Sequence, residues 1–442
     1  MYRTIKDELI QWKNNKDKKP LIISGARQVG KTYIIEEFAK ENYKYLIEIN
    51  FSFDVYAKEY FGVSRSYEEI INYIEINNLN IDFENNDDIL VFFDEIQLVP
   101  ELISELKMLK INCPYDIICS GTMLGVSLNR TSSYPVGYVE NKIMYPMSFK
   151  EFIIAYGIDE KFIEIIKNSI LNKTIIPEAI HNKMNELFNN YLVVGGLPEA
   201  VKTYIDKKSI SEAIKVLRRL NNDYMSDIAA YAERDIRLKA IECYESLPIQ
   251  LAKENKKFQY SVVKKGYNAR YYDSSLKWLE NGGLIIKNTK LQSVNDPLKA
   301  FVDLSCFKIY SFDTGLLVSR FDDSTIQKIL DNALNIYNGV VYENVFSQTL
   351  QCCDYEQYYY ESRGSNEIDF ITYFQNEIVP IEVKSGLHTR STSFNNFIKN
   401  NNSRLSFRLS KKNVGYDSKY NTYYLPQYAM ALLLQDRWPI VN

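Results

Sequence analysis

The chain has 442 residues, enough for roughly two to four domains with more than one buried core. Hydrophobic residues make up 46% and charged residues 25%, which excludes a disordered or fibrous chain. A formal net charge of −3 excludes a uniformly basic nucleic-acid coat, so any phosphate-binding surface must be local.

The opening MYRTIKDELIQWKNNK has no apolar run behind its charges, so no signal peptide is expected. No stretch approaches the roughly 18 apolar residues of a membrane span. Six cysteines without a CxxC pair, and only two histidines, argue against zinc and for reduced thiols in a cytoplasmic protein. Up to residue 150, short apolar runs alternate with helical patterns. Leu21–Ser24, Tyr45–Phe51, Ile89–Phe93 and Asp116–Cys119 read as strands buried on both faces of a parallel sheet. Tyr33–Asn42, Ser66–Asn77 and Glu101–Leu109 read as the helices between them. The alternation predicts an α/β layered domain over 1–150.

Residues 151–235 turn helical, with a break at Gly195-Gly196 and Pro198, and are expected to form a helical lid or linker. Residues 236–300 show three short helical patterns and then a strand pair, the order of a winged helix. Residues 301–442 open on a helix, Val340–Gln351, followed by strand-like runs at Gln357–Glu361, Ile368–Phe374 and Glu377–Val383, and are expected to form a second α/β domain.

Gly25-Ala26-Arg27-Gln28-Val29-Gly30-Lys31-Thr32 follows the GxxxxGK[ST] pattern, with a strand running in and a helix running out. Backbone N–H groups of such a loop and the helix N-terminus present positive potential to phosphates. Lys31 is expected to reach the β- and γ-phosphates of ATP and the Thr32 hydroxyl to ligate Mg²⁺. Asp94-Glu95 closes the apolar run Ile89–Phe93, where a carboxylate pair is costly unless it serves a cation. Asp94 is the expected second Mg²⁺ ligand and Glu95 the base that polarises the attacking water. Ser120 or Thr122, at the end of the next strand, stands as a candidate γ-phosphate sensor.

These residues bring out a resemblance. GxRQVGKT (Gly25–Thr32), DEIQ (Asp94–Gln97) and PxSFxEF (Pro146–Phe152) resemble, in this order, the AAA-type P-loop ATPase domain of a bacterial and archaeal family, AAA_14. VVGGLPEAV (Val193–Val201), FDTGLL (Phe312–Leu317), YENVFSQTL (Tyr342–Leu350) and EIDF…IEVKS (Glu367–Ser385) resemble the DUF4143 domain that usually follows it. The resemblance implies ATP binding more firmly than it implies a task. One departure stands out: the family commonly carries an arginine where Tyr138 follows Gly137 here. Arg27 and Arg130 are the nearest substitutes. Without a placed arginine finger, which is worth about 10³–10⁵ in rate, basal turnover is expected to be slow.

A second constellation lies near the C-terminus. Glu382 and Lys384 share one face of a strand by the period of two, and a hairpin through Gln375-Asn376 would set Asp369 beside them. This D…ExK arrangement resembles the PD-(D/E)XK nuclease fold. The resemblance implies Mg²⁺ on Asp369 and Glu382, a further carboxylate from Glu343, and Lys384 serving the water. A salt-bridged strand pair, or a relict site that binds without cutting, stays open beside it.

Basic residues concentrate in two stretches. Residues 383–416 carry seven Lys or Arg and no acid; residues 240–300 carry ten against six. Double-stranded DNA is the expected partner of both, with Arg270, Tyr271, Tyr272 and Lys277 toward the groove. Two functions follow: a P-loop ATPase coupled to a DNA-binding or nuclease domain, or a nucleotide-dependent regulatory switch with a non-catalytic C-terminal module.

Overall fold

A computed structural model describes residues 1–84, 88–123, 134–253, 256–331, 333, 335–362, 367–386 and 392–440. The chain divides into two compact units, Met1–Tyr145 with Asn281–Gly283, and Pro146–Glu280 with Leu284–Asn442.

The first unit is built on five parallel strands: β1 (Leu21–Gly25), β2 (Tyr45–Asn50), β3 (Ile89–Asp94), β4 (Asp116–Thr122) and β5 (Glu140–Ile143), in the order β2-β3-β4-β1-β5. Every residue of β3 is buried, as its unbroken apolar run requires of a strand covered on both faces. Helices Lys31–Asn42, Tyr67–Ile76 and Pro100–Asn112 cover the sheet. A Ser66–Glu69 capping box starts the second of these and closes two otherwise unpaired N–H groups. Ile22, Ile47, Val91, Phe93, Ile103 and Leu106 form part of one core. Because all five strands run the same way, the β1, β3 and β4 termini meet at one edge, where open α/β sheets bind ligands.

The second unit begins with five helices: Phe149–Tyr156, Glu160–Leu171, Glu178–Val194, Pro198–Lys207 and Ile210–Tyr231. Its sheet comprises β6 (Ile285–Leu291), β7 (Val302–Ser311), β8 (Tyr358–Glu361), β9 (Glu367–Phe374), β10 (Glu377–Val383), β11 (Ser406–Ser410), β12 (Gly415–Asp417) and β13 (Thr422–Pro426), in the order β12-β13-β11-β10-β9-β8-β6-β7. Helices Arg234–Leu251, Tyr260–Val263 and Ala269–Asn281 precede the antiparallel β6–β7 pair, the helix and wing order read from the sequence. The wing is the edge of the same sheet that carries the D…ExK strands, so the boundary expected at 300/301 falls inside one hairpin. β9 and β10 pair antiparallel around a two-residue turn, with Gln375 at φ 50° and Asn376 at φ 65°, the type I′ signature.

The family-like segments of this unit have a structural role. Ser148 and Glu151 of the PMSFKEF segment form a capping box, and Phe149 and Phe152 are buried beneath it. Asp313 accepts hydrogen bonds from the Gly196 N–H (2.7 Å) and the Leu316 N–H (2.9 Å), capping helix Thr314–Val318 and latching the Gly195-Gly196 turn. Gly195 has φ +70° and a Cβ there would stand 2.3 Å from the Asp313 carboxylate. Met147 in turn donates its N–H to the Gly196 carbonyl. Burial pushes the Asp313 carboxyl up to about 6 against the pull of these N–H groups. Its folded value lies above its unfolded one, so the native state holds the extra proton and this group's contribution to stability falls as pH rises from about 4 to 6. Asp313→Ala removes the cap and strands the buried Gly196 N–H, so a loss of about 2–4 kcal/mol is expected in urea unfolding. A change below about 0.5 kcal/mol would mean that the latch does not hold the turn.

Among the described residues no helix is long and apolar enough to cross a membrane. Among the described residues no cysteine is in a disulfide.

Candidate functional site

The loop after β1 folds as its glycines require. Gln28 (φ 60°) and Gly30 (φ 95°) take left-handed backbone, and Gly30 caps the helix that begins at Lys31. A Cβ on Gly25 would stand 2.3 Å from the Met144 carbonyl, so only glycine fits that close approach. Lys31 is 6% exposed and its ammonium donates to the Gly25 (3.2 Å) and Ala26 (2.8 Å) carbonyls. Burial lowers it to about 8, against the attraction of Glu95 and Asp94. A bound polyphosphate would restore the proton, so binding above pH 8 must take one up. ATP affinity should therefore be flat below pH 7 and weaken up to about tenfold per pH unit above pH 8. Calorimetry across pH 6.5–9.5 checks this, and a flat profile would place no charge-bearing lysine at the phosphates.

Asp94, 2% exposed, collects four donors. The Thr32 hydroxyl (3.0 Å) and Asn50 amide (2.8 Å) reach Oδ2, while the Ser120 hydroxyl and the Glu95 N–H (3.0 Å) reach Oδ1. Octahedral Mg²⁺ at about 2.0–2.1 Å from two cis oxygens sets them about 2.9 Å apart. The Thr32–Asp94 pair has that spacing, so these two residues fit the ion.

Glu95 is half-buried and held at φ 59°, ψ 42°, a conformation that costs a non-glycine residue about 1 kcal/mol or more. Gln97 accounts for its orientation. The Gln97 amide donates to the Glu95 carboxylate, and its carbonyl accepts the Thr122 N–H (3.2 Å). A Cβ on Gly121 would stand 2.8 Å from that Gln97 oxygen. Of the two sensor candidates, the Ser120 hydroxyl donates to Asp94, and Thr122 is buried with its N–H on Gln97.

Three contributors escaped the sequence reading. Asn50 ends β2 opposite Asp94 in register. Gln97 was visible only as the last letter of DEIQ. Arg3, 5% exposed, donates from one guanidinium nitrogen to the Val29 carbonyl in the loop and from the other to the Tyr145 carbonyl, each at 2.7 Å. Lys107 stacks 4.9 Å over the ring of Tyr138, the position where the sequence resemblance implies an arginine. Arg27 is half-buried, and Arg130 lies outside the described residues.

In the second unit Asp369, Glu382, Lys384 and Glu343 do come together. Asp369 Oδ2 accepts the Val383 N–H at 2.8 Å. Glu382 pairs with Lys384 (3.1 Å) and with Arg408 (2.8 Å), which faces it in the parallel β10–β11 register. Glu343, on helix Asn335–Cys352, pairs with Lys256 and Lys308 and accepts from the Tyr310 hydroxyl at 3.1 Å. Lys308 is 2% exposed and also pairs with Glu367. Burial alone would lower its ammonium, but Tyr310 and the carboxylates of Glu343, Glu367 and Asp369 carry it well above its ordinary value. Burial and the like charge of Glu343 push the Asp369 carboxyl up to about 7. Among the described residues no group of three or more His, Cys, Asp or Glu stands where it could hold a metal ion. Of the three residues expected to hold Mg²⁺, Glu343 and Glu382 are instead paired with cations of the protein.

The two basic stretches also separate. In 383–416, Arg408 is buried, Lys384 is paired with Glu382, Arg404 with Glu377 (3.1 Å), and Arg390 lies outside the described residues. Lys399 and Lys412 of that stretch are exposed. On helix Ala269–Asn281, Arg270, Tyr271 and Lys277 are exposed, and among the described residues neither Arg270 nor Lys277 makes an ion pair. Tyr272 does not join them: it is fully buried, with its hydroxyl on Glu242 at 2.6 Å.

Family comparison decides the first unit. Residues 17–153 match AAA_14, described as an AAA domain.

This segment is a P-loop AAA domain.

Residues 185–325 match a domain of unknown function, DUF8612, and residues 335–432 a second, DUF4143. The VVGGLPEAV and FDTGLL segments thus fall in the former and not, as the sequence resemblance had them, in the latter. A search of curated proteins gives no match. Similar solved structures include a Walker-type ATPase of Pyrococcus abyssi, at 14% identity over 72% of this chain and 96% of that one, with a TM-score of 0.43. They also include the Aeropyrum pernix ORC1 protein in complex with DNA (10% identity, 74% and 90% coverage, TM-score 0.28) and C. elegans PCH-2 (12%, 63% and 66%, 0.23).

Proposed function

We propose that the chain is an ATP hydrolase whose nucleotide state is coupled to DNA binding by the second unit. The observation that carries the hydrolase reading is the Thr32–Asp94–Glu95 edge beside Lys31: two oxygens spaced for Mg²⁺, a buried ammonium, and a carboxylate pre-oriented by Gln97. In this reading loop N–H groups and Lys31 hold the β- and γ-phosphates, and Thr32 and Asp94 hold Mg²⁺, which would neutralise charge on the phosphate oxygens. Glu95 accepts the proton of the attacking water. Ser120 and Asn50 keep the Asp94 carboxylate aimed, and Arg3 ties the Val29 carbonyl so that the loop N–H groups stay turned toward the anion.

The DNA reading rests on helix Ala269–Asn281, where Arg270, Tyr271 and Lys277 are exposed and, among the described residues, neither Arg270 nor Lys277 makes an ion pair. Phosphate contacts make log K fall with log salt by about 0.9 per phosphate neutralised. Arg270→Ala and Lys277→Ala should each weaken duplex binding by the full chain and reduce the salt slope by about 1, whatever the sequence of the duplex. Fluorescence anisotropy at 50–200 mM salt reads this. An unchanged slope in both variants, or no binding by the parent at the low end, would favour the other reading, a nucleotide switch with a protein partner.

A further inference from the structure

We infer that the acidic cluster formed by Glu343, Glu367, Asp369 and Glu382 is a metal-independent ion-pair network, in which Lys308 and Arg408 supply the positive charge that a divalent ion would bring to a nuclease-like site. The inference is independent of the ATP site.

Geometry carries it. Each cluster carboxylate is engaged from inside the protein. Lys308 lies among Glu343 and Glu367, Lys256 caps Glu343, and Arg408 and Lys384 both hold Glu382. Asp369 is held differently, by the Val383 N–H. Three carboxylates are thus paired with four cations and Asp369 with a backbone N–H, so the cluster keeps no excess of negative charge for an added ion. Lys308 and Arg408 are each 2% exposed, so neither can swing out to water to make room. Their positions are set by strands: Lys308 by β7, against β6, and Arg408 by β11, in register with Glu382. A divalent ion on the Lys308 or Arg408 side of the cluster would have to displace a buried cation from its carboxylate and leave that cation unpaired, which is the costly way to break a buried pair. Carboxylate-only sites that hold Mg²⁺ or Ca²⁺ keep an excess of negative charge for the ion; this cluster has none. The D…ExK spacing then acts as a register device. Glu382 binds β10 to β11 through Arg408, and the Lys384 ammonium covers the outer side of the pair.

The test uses the nucleotide-free full chain. Mn²⁺ is titrated by calorimetry into the parent and into Asp94→Asn, Glu382→Gln and Asp369→Asn, and melting curves are taken in EDTA and in 10 mM MnCl₂. We expect no Mn²⁺ site tighter than about 1 mM that depends on Glu382 or Asp369, and a parent melting temperature indifferent to EDTA. Lys308→Met should lower melting by about 10 °C. A saturable Mn²⁺ site that survives in Asp94→Asn but disappears in Asp369→Asn or Glu382→Gln would overturn the inference. If Glu382→Gln does not fold, Asp369→Asn, which retains an oxygen for the Val383 N–H, and the EDTA comparison on the parent still decide. Mg²⁺-dependent phosphate release measured on the same samples reads the ATP site separately.

Discussion

Lys31→Ala should weaken ATP binding at least 100-fold, a loss of about 3 kcal/mol, in a protein that melts close to the parent. The parent ammonium is buried and satisfied by two loop carbonyls at 3.2 and 2.8 Å. It is therefore already desolvated before nucleotide arrives, and its attraction to phosphate acts in a site of low dielectric, where a charge-assisted hydrogen bond is worth about 1.5–3 kcal/mol. Truncation removes that charge and also leaves the Gly25 and Ala26 carbonyls without their donor, so the loop loses the contact that closes it. Lys31→Arg separates the two effects. It keeps the charge, but its planar fork does not replace a compact ammonium in a buried position. Isothermal calorimetry with Mg-ATP reads both variants. Unchanged affinity in a folded Lys31→Ala protein would remove the loop from the account.

Glu95→Gln has the second large effect, in kcat rather than in affinity. The substituted amide keeps the size of Glu95, and Asp94 with Thr32 still offers the Mg²⁺ pair at 3.0 Å. Only the acceptor for the water proton is gone, so kcat should fall by about 10²–10⁴ while Kd for ATP stays within a few-fold. Gln97 supplies an internal control. Its amide donates to the Glu95 carboxylate, so Gln97→Ala frees the base from its orientation without removing it. A smaller loss, about tenfold, is expected there, and Gln97→Glu should be worse than Gln97→Ala because it sets two carboxylates against each other. Single-turnover hydrolysis separates these from changes in product release. A Glu95→Gln protein that hydrolyses at the parental rate would exclude Glu95 as the base.

Much of the first unit is legible before any coordinates are seen. β3 is an unbroken apolar run that ends at Asp94, and Leu21–Ile23 of β1 is a shorter one, as strands buried on both faces read. β5 is not legible, because Glu140–Ile143 is a four-residue edge strand with alternating exposure and no apolar run. The β9–β10 hairpin is legible from Gln375-Asn376, since a two-residue turn fixes the register that brings Asp369 to Val383. Charge is where the reading of residue types fails. Arg408 counts as a basic residue of a DNA-facing stretch when only composition is visible. Its partner, Glu382, is in plain view in the sequence, but the parallel register that joins β10 to β11 is not. Lys308 gives no signal at all, being one lysine in a lysine-rich chain until β7 places it against Glu343 and Glu367. Arg3 is the same case at the loop: its two carbonyl partners are Val29 and Tyr145, and nothing local to residue 3 announces them. Buried cations are defined by contacts distant in sequence, whereas phosphate loops are defined by residues adjacent in it.

Tyr138 bears on rate. In the proposed reading, with a tyrosine under Lys107 where the sequence resemblance implies an arginine, positive charge at the γ-phosphate would come from Lys31, the loop N–H groups and Mg²⁺. Slow turnover follows if no arginine is supplied, since such a group contributes about 10³–10⁵ to kcat in phosphoryl transfer.

The most direct test of the account is phosphate release by the purified full chain at saturating ATP, followed in Mg²⁺ and in EDTA. Slow, Mg²⁺-dependent release that vanishes in EDTA and in Glu95→Gln is the result expected from Thr32, Asp94 and Glu95 acting as assigned. Release that persists in EDTA, or the absence of any release above background with ATP bound, would contradict it.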